Sequence, residues 1–147
     1  MAIDGDEHHD VVIIGGGPGG LACAHALARV IPLTASIAVY ERNPSPEVPQ
    51  GSGVALFPNG LKALEGLSPG IARRLGALST KFELMEMRDA SGAVLKTTGS
   101  EMTDKANADQ VAKYGVHANQ CGWHALVRLL TETLPPSVTF LPGTRVS

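Results

Sequence analysis

Short apolar runs and a helical periodicity alternate along the first 41 residues. The β-branched run Val11–Ile14 predicts a strand that is buried on both faces, as in a parallel sheet. Apolar residues then recur at helical spacing over residues 19–31, and Pro32 marks the end of that helix. Residues 36–40 predict a second buried strand, which ends at Glu41. A strand, a helix and a strand within about 30 residues have the size of one βαβ unit.

The rest of the chain mixes helical and strand patterns. Three prolines within residues 42–52 predict an extended loop. Helical spacing of apolar residues predicts three further helices, over residues 57–67, 71–78 and 124–134. An apolar run predicts a last strand of the parallel sheet at residues 138–141. Residues 99–115 are polar and aperiodic, so no regular element is predicted there.

An antiparallel hairpin is predicted within residues 80–100. Residues 82–88 and 93–97 flank the sequence DASG at positions 89–92, which is typical of a turn. Two adjacent apolar residues break the alternation in the first strand. This break leaves two alternatives open, a β-bulge or a strand with two half-buried faces.

Composition and charge narrow the class of protein. The 147 residues suffice for one domain or for a piece of a larger one, and 44% hydrophobic with 18% charged residues are typical of an α/β protein. A net charge of −2 without runs of Lys or Arg gives no reason to expect nucleic acid as a partner. Two distant cysteines, an acidic N-terminus and apolar runs too short for a membrane span predict a cytoplasmic protein.

A glycine-rich turn carries the clearest chemical signal. Gly15, Gly17 and Gly20 satisfy the pattern G-x-G-x-x-G, with Pro18 and Gly19 inside it, directly between a predicted strand and a predicted helix. The first glycine permits a tight turn, the second lets the backbone approach a pyrophosphate, and the third removes a Cβ where helix meets sheet. The unpaired amides at the start of the helix favour phosphate groups.

Glu41 stands about 20 residues after the last of these glycines, at the end of the second strand. Its carboxylate can accept hydrogen bonds from ribose hydroxyls and would repel a 2′-phosphate. The pattern therefore favours FAD or NAD over NADP at this site. A structural βα turn without a ligand is the alternative for the same residues.

Other residues of the types used in catalysis or metal binding are interpreted as structural. Cys23 is interpreted as a small apolar residue that fills space beside the first helix, and His25 is interpreted as a partly exposed side chain. His117, Cys121 and His124 match no common zinc-ligand spacing, so no metal site is predicted.

The segments DVVIIGGGPGGLACAHALAR and IAVYER resemble the opening of the FAD-dependent aromatic hydroxylases and epoxidases related to p-hydroxybenzoate hydroxylase. The resemblance continues through residues 51–60, where glycines, apolar residues and Pro-Asn precede a helix. It implies a Rossmann-like FAD-binding βαβ unit with a parallel sheet, and a hairpin at residues 80–100 from the substrate-covering sheet. Residues 1–147 are accordingly expected to be the N-terminal part of an FAD-binding domain. The fold would be incomplete, because the family's later flavin motifs are expected beyond Ser147.

The resemblance also implies cofactor contacts. Glu41 and Arg42 would lie at the adenosine ribose. Gly51, Ser52 and Gly53 would lie near the ribityl chain and ring of the flavin, with a plain loop as the alternative.

One position departs from the family. An arginine usually stands three residues before the first leucine of the last helix, where this chain has Trp123. An indole cannot neutralise a phosphate, so stacking by Trp123 or the charge of Arg128 would replace that contact.

The activity implied by the resemblance is that of a flavin-dependent monooxygenase. Such an enzyme would use FAD, NADH or NADPH, and O₂ to hydroxylate or epoxidise a small aromatic or alkene substrate. No catalytic side chain is identified in the sequence, because this chemistry belongs to the flavin. Two alternatives remain open: an FAD-dependent oxidase or reductase of the same architecture, and a catalytically inactive nucleotide-binding fragment.

Overall fold

A computed structural model describes residues 8–45, 52–80 and 84–146 of the chain. Within these residues the elements follow one another in this order: β1 Val11–Ile14, α1 Pro18–Val30, β2 Ile37–Glu41, β3 Gly53–Leu56, α2 Pro58–Leu67, α3 Ile71–Ala77, β4 Leu84–Arg88, β5 Val94–Gly99, α4 Ser100–Tyr114, β6 Asn119–Gly122, α5 Trp123–Glu132 and β7 Val138–Pro142. The predicted α/β class, with a parallel sheet and an antiparallel hairpin, is confirmed.

The parallel sheet has the strand order β1-β2-β7. Val11 lies opposite Ile37, and Ile37 lies opposite Val138 on the other side. Residues 37–40 of the central strand β2 are buried, because each neighbour covers one edge and helices cover one face. The predicted βαβ unit and the predicted last strand are therefore confirmed.

The burial predicted for β1 is wrong. Val12 and Ile14 are 50% and 70% exposed, whereas Ile13 packs against the core. Strand β1 is an edge strand with helices on one face only, so alternate side chains point to the uncovered face. An uninterrupted apolar run does not by itself distinguish a strand covered on one face from a strand covered on both.

The core lies between β2 and the helices α1, α2, α3 and α5. Helix α5 makes the largest single contribution, through Leu126, Val127, Leu129 and Leu130, and Leu21 of α1 belongs to the same cluster. The apolar side chains of α5 recur at helical spacing and form one stripe, which is why periodicity alone predicted this helix. None of the described helices is long and apolar enough to cross a membrane.

The interpretations of Cys23 and His25 are both wrong. Cys23 is exposed, while His25 is 2% exposed and its Nε2 donates a hydrogen bond to the carbonyl oxygen of Leu130 at 3.0 Å. His25 lies four residues after Leu21 and so shares its inward face, whereas Cys23 does not. A buried imidazole is tolerated there because a backbone acceptor satisfies it.

Helix α4 was not predicted. Its 15 residues are polar on all sides and none is buried, so the hydrophobic periodicity that identifies amphipathic helices is missing. Its ends carry the stabilising features: Glu101 in the first turn, Lys113 in the last turn, and Gly115 with φ +79° at the C-terminal cap. The helix is stabilised by these caps and by one tertiary hydrogen bond, from the N–H of Ala118 to Oε1 of Gln110, instead of by burial.

The short antiparallel sheet of β3 and β6 was also not predicted. Gly53 pairs with Gly122 and Leu56 pairs with Asn119, so two segments far apart in the sequence are joined. Because neither segment has a clear strand pattern, the pairing depends on tertiary contact.

The predicted hairpin is confirmed as β4 and β5, with residues 82 and 83 outside the described chain. A register shift between Met87 and Arg88 marks a bulge, one of the two predicted alternatives. The other alternative is wrong, because every residue of β4 is exposed. Asp89 Oδ1 accepts hydrogen bonds from the Ser91 hydroxyl and from the backbone N–H groups of Ala93 and Ser91, and these bonds lower the pKa of the Asp89 carboxyl.

Candidate functional site

The turn between β1 and α1 needs glycine at its first position. Gly15 has φ +108°, a conformation that side chains other than glycine adopt only with strain. Its N–H donates to the carbonyl oxygen of Tyr40 at 2.8 Å, which extends the pairing of β1 with β2 by one bond. The chain can therefore leave the sheet abruptly and begin a helix at Pro18.

Two further glycines are required by packing inside the protein. A Cβ at Gly20 would lie 1.9 Å from the carbonyl oxygen of Gly15, so the helix could not approach the turn. A Cβ at Gly16 would lie 2.6 Å from Cε2 of Phe140 and 2.8 Å from Cβ of Glu41. The protein's own atoms therefore account for both positions.

Gly17 and Gly19 have no comparable internal reason to be glycine. A Cβ at Gly17 would meet only Cζ2 of Trp123 at an ordinary 3.7 Å, and a Cβ at Gly19 would meet nothing within 4 Å. Their N–H groups have no acceptor among the residues that the structure describes. Both lie at the start of the 13-residue helix α1, whose dipole is positive at this end. The open side of the turn is thus suited to a phosphate group that approaches the backbone closely.

The carboxylate of Glu41 lies directly over the turn. Its Oε2 accepts from Gly16 N–H at 2.8 Å, and its Oε1 accepts from Asn43 N–H at 2.8 Å. The carboxylate is thereby fixed in place, and Gly16 N–H is already paired with a protein atom. Each carboxylate oxygen has a second lone pair, so both can accept one further hydrogen bond from a neighbouring hydroxyl.

A cavity of about 340 Å³ opens at the carboxyl ends of the parallel strands. It is lined by Ile14, Gly15, Tyr40, Glu41, Arg42, Thr144, Arg145 and Val146. The segment after β7 is held there by two backbone bonds, from Thr144 N–H to Glu41 O and from Gly143 N–H to Asn43 O, both 2.9 Å. Open α/β sheets bind ligands at this edge.

Sequence analysis did not identify residues 144–146 as part of this cavity. The strand β7 before them was predicted, and a search of the residues that follow each parallel strand would have found them. Arg42, which was predicted, has an exposed side chain at the same cavity. Arg145 adds a second positive charge next to Glu41.

The structure brings Trp123 to the glycine turn. Its backbone N–H donates to the carbonyl oxygen of Ser52 at 3.0 Å, and its ring atom Cζ2 is the atom that a Cβ at Gly17 would meet. Gly53 pairs with Gly122 immediately beside this contact. Among the residues predicted to contact the flavin half, Ser52, Gly53 and Trp123 are therefore close to one another beside the turn. Gly51 is outside the described residues.

Arg128 is not assembled with this group. Its side chain is on the exposed side of α5, where Nε lies 3.7 Å from Oε1 of Glu132, four residues further along the helix. No set of three His, Cys, Asp or Glu side chains in the described part of the chain is close enough together to hold a metal ion. His117, Cys121 and His124 therefore form no such set.

Residues 13–47 match the family model of the NAD(P)-binding Rossmann-like domain. The matched segment includes the second half of β1, the glycine turn, α1 and β2, and it agrees with the geometry of a dinucleotide-binding βαβ unit. No curated protein sequence matches the chain.

Solved structures extend the similarity over more than 90% of the chain. The flavin-dependent monooxygenase PieE, in complex with FAD and substrate, matches with a TM-score of 0.66 and 22% identity, over 94% of this chain and 24% of that one. The p-nitrophenol 4-monooxygenase PnpA from Pseudomonas putida DLL-E4 matches with a TM-score of 0.65 and 21% identity, over 92% and 32%. The tetracycline destructase Tet(51) matches with a TM-score of 0.60 and 18% identity, over 93% and 30%.

These similarities confirm the predicted fold. The chain has the fold of the N-terminal part of these three neighbours, and it spans between 24% and 32% of their length.

Proposed function

We propose that the glycine turn binds the diphosphate of FAD, and that the chain is the N-terminal part of a flavin-dependent monooxygenase. The observation that carries the proposal is the contrast within the turn. Internal packing accounts for Gly16 and Gly20, whereas a Cβ at Gly17 or Gly19 would make no close contact, and the N–H groups of both have no acceptor among the described residues. Glycine at those two positions is explained by a ligand that must lie against the backbone.

The surrounding residues fit the remainder of an ADP group. Glu41 would accept from the ribose hydroxyls through its free lone pairs, while Gly16 and Asn43 keep its carboxylate oriented. The cavity at the strand ends would take the adenine, with Arg42 and Arg145 at its rim. Trp123, whose ring lies beside Gly17, and Ser52 and Gly53, which adjoin it, would contact the flavin half.

The bound flavin would supply the redox chemistry, with NADH or NADPH as reductant and O₂ as the second substrate. The residues of this chain would bind and orient it. The β4–β5 hairpin is proposed to belong to the sheet that covers a small aromatic or alkene substrate. Two observations support a monooxygenase over the oxidase and reductase alternatives: the names of the neighbouring structures and the Pro-Asn segment at the start of α2. Free Cys23 and Cys121 support a reducing, cytoplasmic location.

Titration of the chain with FAD, followed by quenching of flavin fluorescence, tests cofactor binding. Gly17→Val should abolish binding, because its side chain would fill the space in front of the amides, while the fold tolerates it. Gly66→Ala is the control, because Gly66 lies at an exposed position of α2 with nothing within 4 Å of the added Cβ. Its affinity for FAD should equal that of the wild type. Unchanged FAD affinity in Gly17→Val would refute the proposed site.

Glu41→Ala should weaken FAD binding by about 1–3 kcal/mol, through the loss of charged hydrogen bonds to the ribose. The comparison needs a fold control, because Glu41 also holds Gly16 and Asn43 in place. Glu41→Gln keeps the shape and the acceptor on one side, and it should lose less affinity than Glu41→Ala. Equal affinities of all three proteins would show that Glu41 does not contact the ribose.

Oxygen uptake by the full-length polypeptide that contains this chain tests the activity. Uptake should require both NADH or NADPH and an aromatic compound. Uptake that is driven by an amine without a nicotinamide would instead identify an oxidase.

A further inference from the structure

A second cavity, of about 500 Å³, lies between α2, α3 and the C-terminal end of α4. It shares no lining residue with the cavity at the ends of the parallel strands. The apolar part of its wall comes from the three helices and from the residue after Gly115: Leu61, Ala72, Val111 and Val116. A cavity of this size accommodates a small organic molecule.

The apolar part of the wall is accessible to a ligand. Val111 is 44% exposed, and Ala72 and Val116 are only partly buried at the edge of the core cluster. Leu61 is fully buried and joins this wall to the core. An aliphatic chain that lies against Val111 and Val116 would remove apolar surface of both residues from water, which is favourable.

Two cationic side chains line the same cavity. Lys62 on α2 and Arg73 on α3 are both exposed. Neither forms an ion pair with any residue that the structure describes. An ammonium and a guanidinium group both donate charged hydrogen bonds to a carboxylate. The cavity therefore has two positive charges that are available to a ligand.

Glu65 also lines the cavity, but its carboxylate is already bonded to the backbone. Its Oε1 accepts from Gly70 N–H at 2.7 Å, and its Oε2 accepts from Ala72 N–H at 3.0 Å. These two bonds, and to a smaller extent the charge of Arg73, lower the pKa of the Glu65 carboxyl. With two cations, one carboxylate and His117 counted as neutral, the wall keeps a net positive charge that is complementary to an anion.

We propose that this cavity binds an aliphatic carboxylate, with its charged end at Lys62 and Arg73 and its chain against Val111 and Val116. The C-terminal end of α4 is the negative end of the helix dipole. The carboxylate is therefore favoured on the side of α2 and α3, and the uncharged chain on the side of α4. The inference depends on this cavity, and it does not rest on FAD binding at the glycine turn.

Octanoate, octanamide and acetate are the probes that test it. Octanamide has the same chain without the charge, and acetate has the charge without the chain. Nuclear magnetic resonance of the ¹⁵N-labelled chain should show saturable shifts of the amides of Ala72, Val111 and Val116 on addition of octanoate. Octanamide should bind about tenfold more weakly, because it lacks the attraction to two cations, and acetate should cause no saturable shift. Equal affinities for octanoate and octanamide, or no saturable shifts with octanoate, would overturn the proposal.

Arg73→Gln and Arg74→Gln are a matched pair at adjacent positions of α3. Arg73 lines the cavity, whereas Arg74 does not, and its Nη2 lies 2.5 Å from Oε2 of Glu132 on α5. Arg73→Gln should bind octanoate about fivefold more weakly and octanamide as the wild type does, because only an attraction between charges is lost. Arg74→Gln should bind both probes as the wild type does. Wild-type affinity for octanoate in Arg73→Gln would overturn the proposal.

Val111→Asp tests the apolar side of the cavity. Because Val111 is already 44% exposed, the variant should fold with little change in melting temperature. It should abolish octanoate binding, since a carboxylate would stand where the aliphatic chain lies. Ala112→Asp, at an exposed position of α4 that does not line the cavity, is the matched control and should bind octanoate as the wild type does. Unchanged octanoate binding in Val111→Asp would overturn the proposal.

Gly17→Val distinguishes the two sites. It should lose FAD and keep octanoate binding unchanged. A wild-type chain that binds octanoate but not FAD would refute the proposed function alone, and a chain that binds FAD but not octanoate would refute this inference alone.

Discussion

The parallel sheet with its helices and the region of the hairpin with α4 are stabilised in different ways. In the first region, side chains from β2 and four helices are buried against one another, and Leu21, Leu75 and Leu130 are 0% exposed. In the second region, β4, β5 and α4 contain no buried residue, and Met87 and Leu95 are 62% and 64% exposed. Local hydrogen bonds and helix caps define the second region.

The difference shows that a defined shape does not require burial, whereas a large contribution to the free energy of unfolding does. Burial of a leucine side chain contributes about 1.5–3 kcal/mol, while a typical hydrogen bond contributes about 1 kcal/mol. We therefore expect the global stability of the chain to reside in the first region. The proposed cofactor site lies on that region.

The largest effect is expected from Gly20→Ala. The new Cβ would lie 1.9 Å from a backbone oxygen, so α1 must separate from β1 and the core between them must open. We expect a loss of more than about 4 kcal/mol, which leaves most of the chain unfolded. Urea unfolding followed by circular dichroism measures it. Gly19→Ala, which adds the same methyl group to open space, should fold normally, and equal destabilisation of the two would contradict the packing argument.

A pair of leucine substitutions tests the comparison directly. Leu130→Ala removes a fully buried side chain and should lower the free energy of unfolding by about 3 kcal/mol. Leu95→Ala, in the exposed hairpin, should change it by less than about 0.5 kcal/mol. Thermal and urea unfolding of both variants give the two values. Similar losses would mean that the hairpin is packed in solution against a part of the chain outside the described residues.

Asp89→Ala should melt the hairpin and leave the rest folded. Asp89 Oδ1 accepts from the N–H groups of Ser91 and Ala93 and so closes the turn. Cross-strand nuclear Overhauser effects between β4 and β5 should disappear, while the urea midpoint of the whole chain stays constant. Asp109→Ala on α4 is the matched control, and a lowered urea midpoint in Asp89→Ala alone would show that the two regions unfold together.

The smallest effect is expected from the protonation of Asp10. Ser36 donates to Asp10 Oδ2 from its N–H at 2.8 Å and from its hydroxyl at 3.0 Å, which holds the pKa of Asp10 below its ordinary value of 3.8. Since the folded state lowers this pKa, the bonds stabilise fully above about 3.8 and are lost as the pH falls through the lower value. Asp10→Asn should remove part of the acid sensitivity of the urea midpoint. An unchanged pH profile would show that this link between β1 and β2 contributes nothing measurable.

Much of the first region could be predicted because its signals are local. The apolar runs of β1 and β2, the stripe of α5 and the glycine spacing each depend on residues that are close in sequence. Helix α4 could not be predicted, because its polar residues show no periodicity and its anchor, Gln110, bonds to Ala118 after the helix has ended. The sequence identified the glycines, Glu41 and Trp123 of the candidate site. It did not identify residues 144–146, which reach the site only because β7 pairs with β2.

The sequence by itself determined the βαβ unit and the glycine turn, because turn conformation, helix initiation and strand formation depend on neighbouring residues. Only the tertiary structure decided which face of β1 is exposed, that His25 is buried and Cys23 is not, and that Asn119 has a buried oxygen without a donor. Burial and hydrogen-bond satisfaction depend on residues that are distant in the sequence, and no local pattern contains that information.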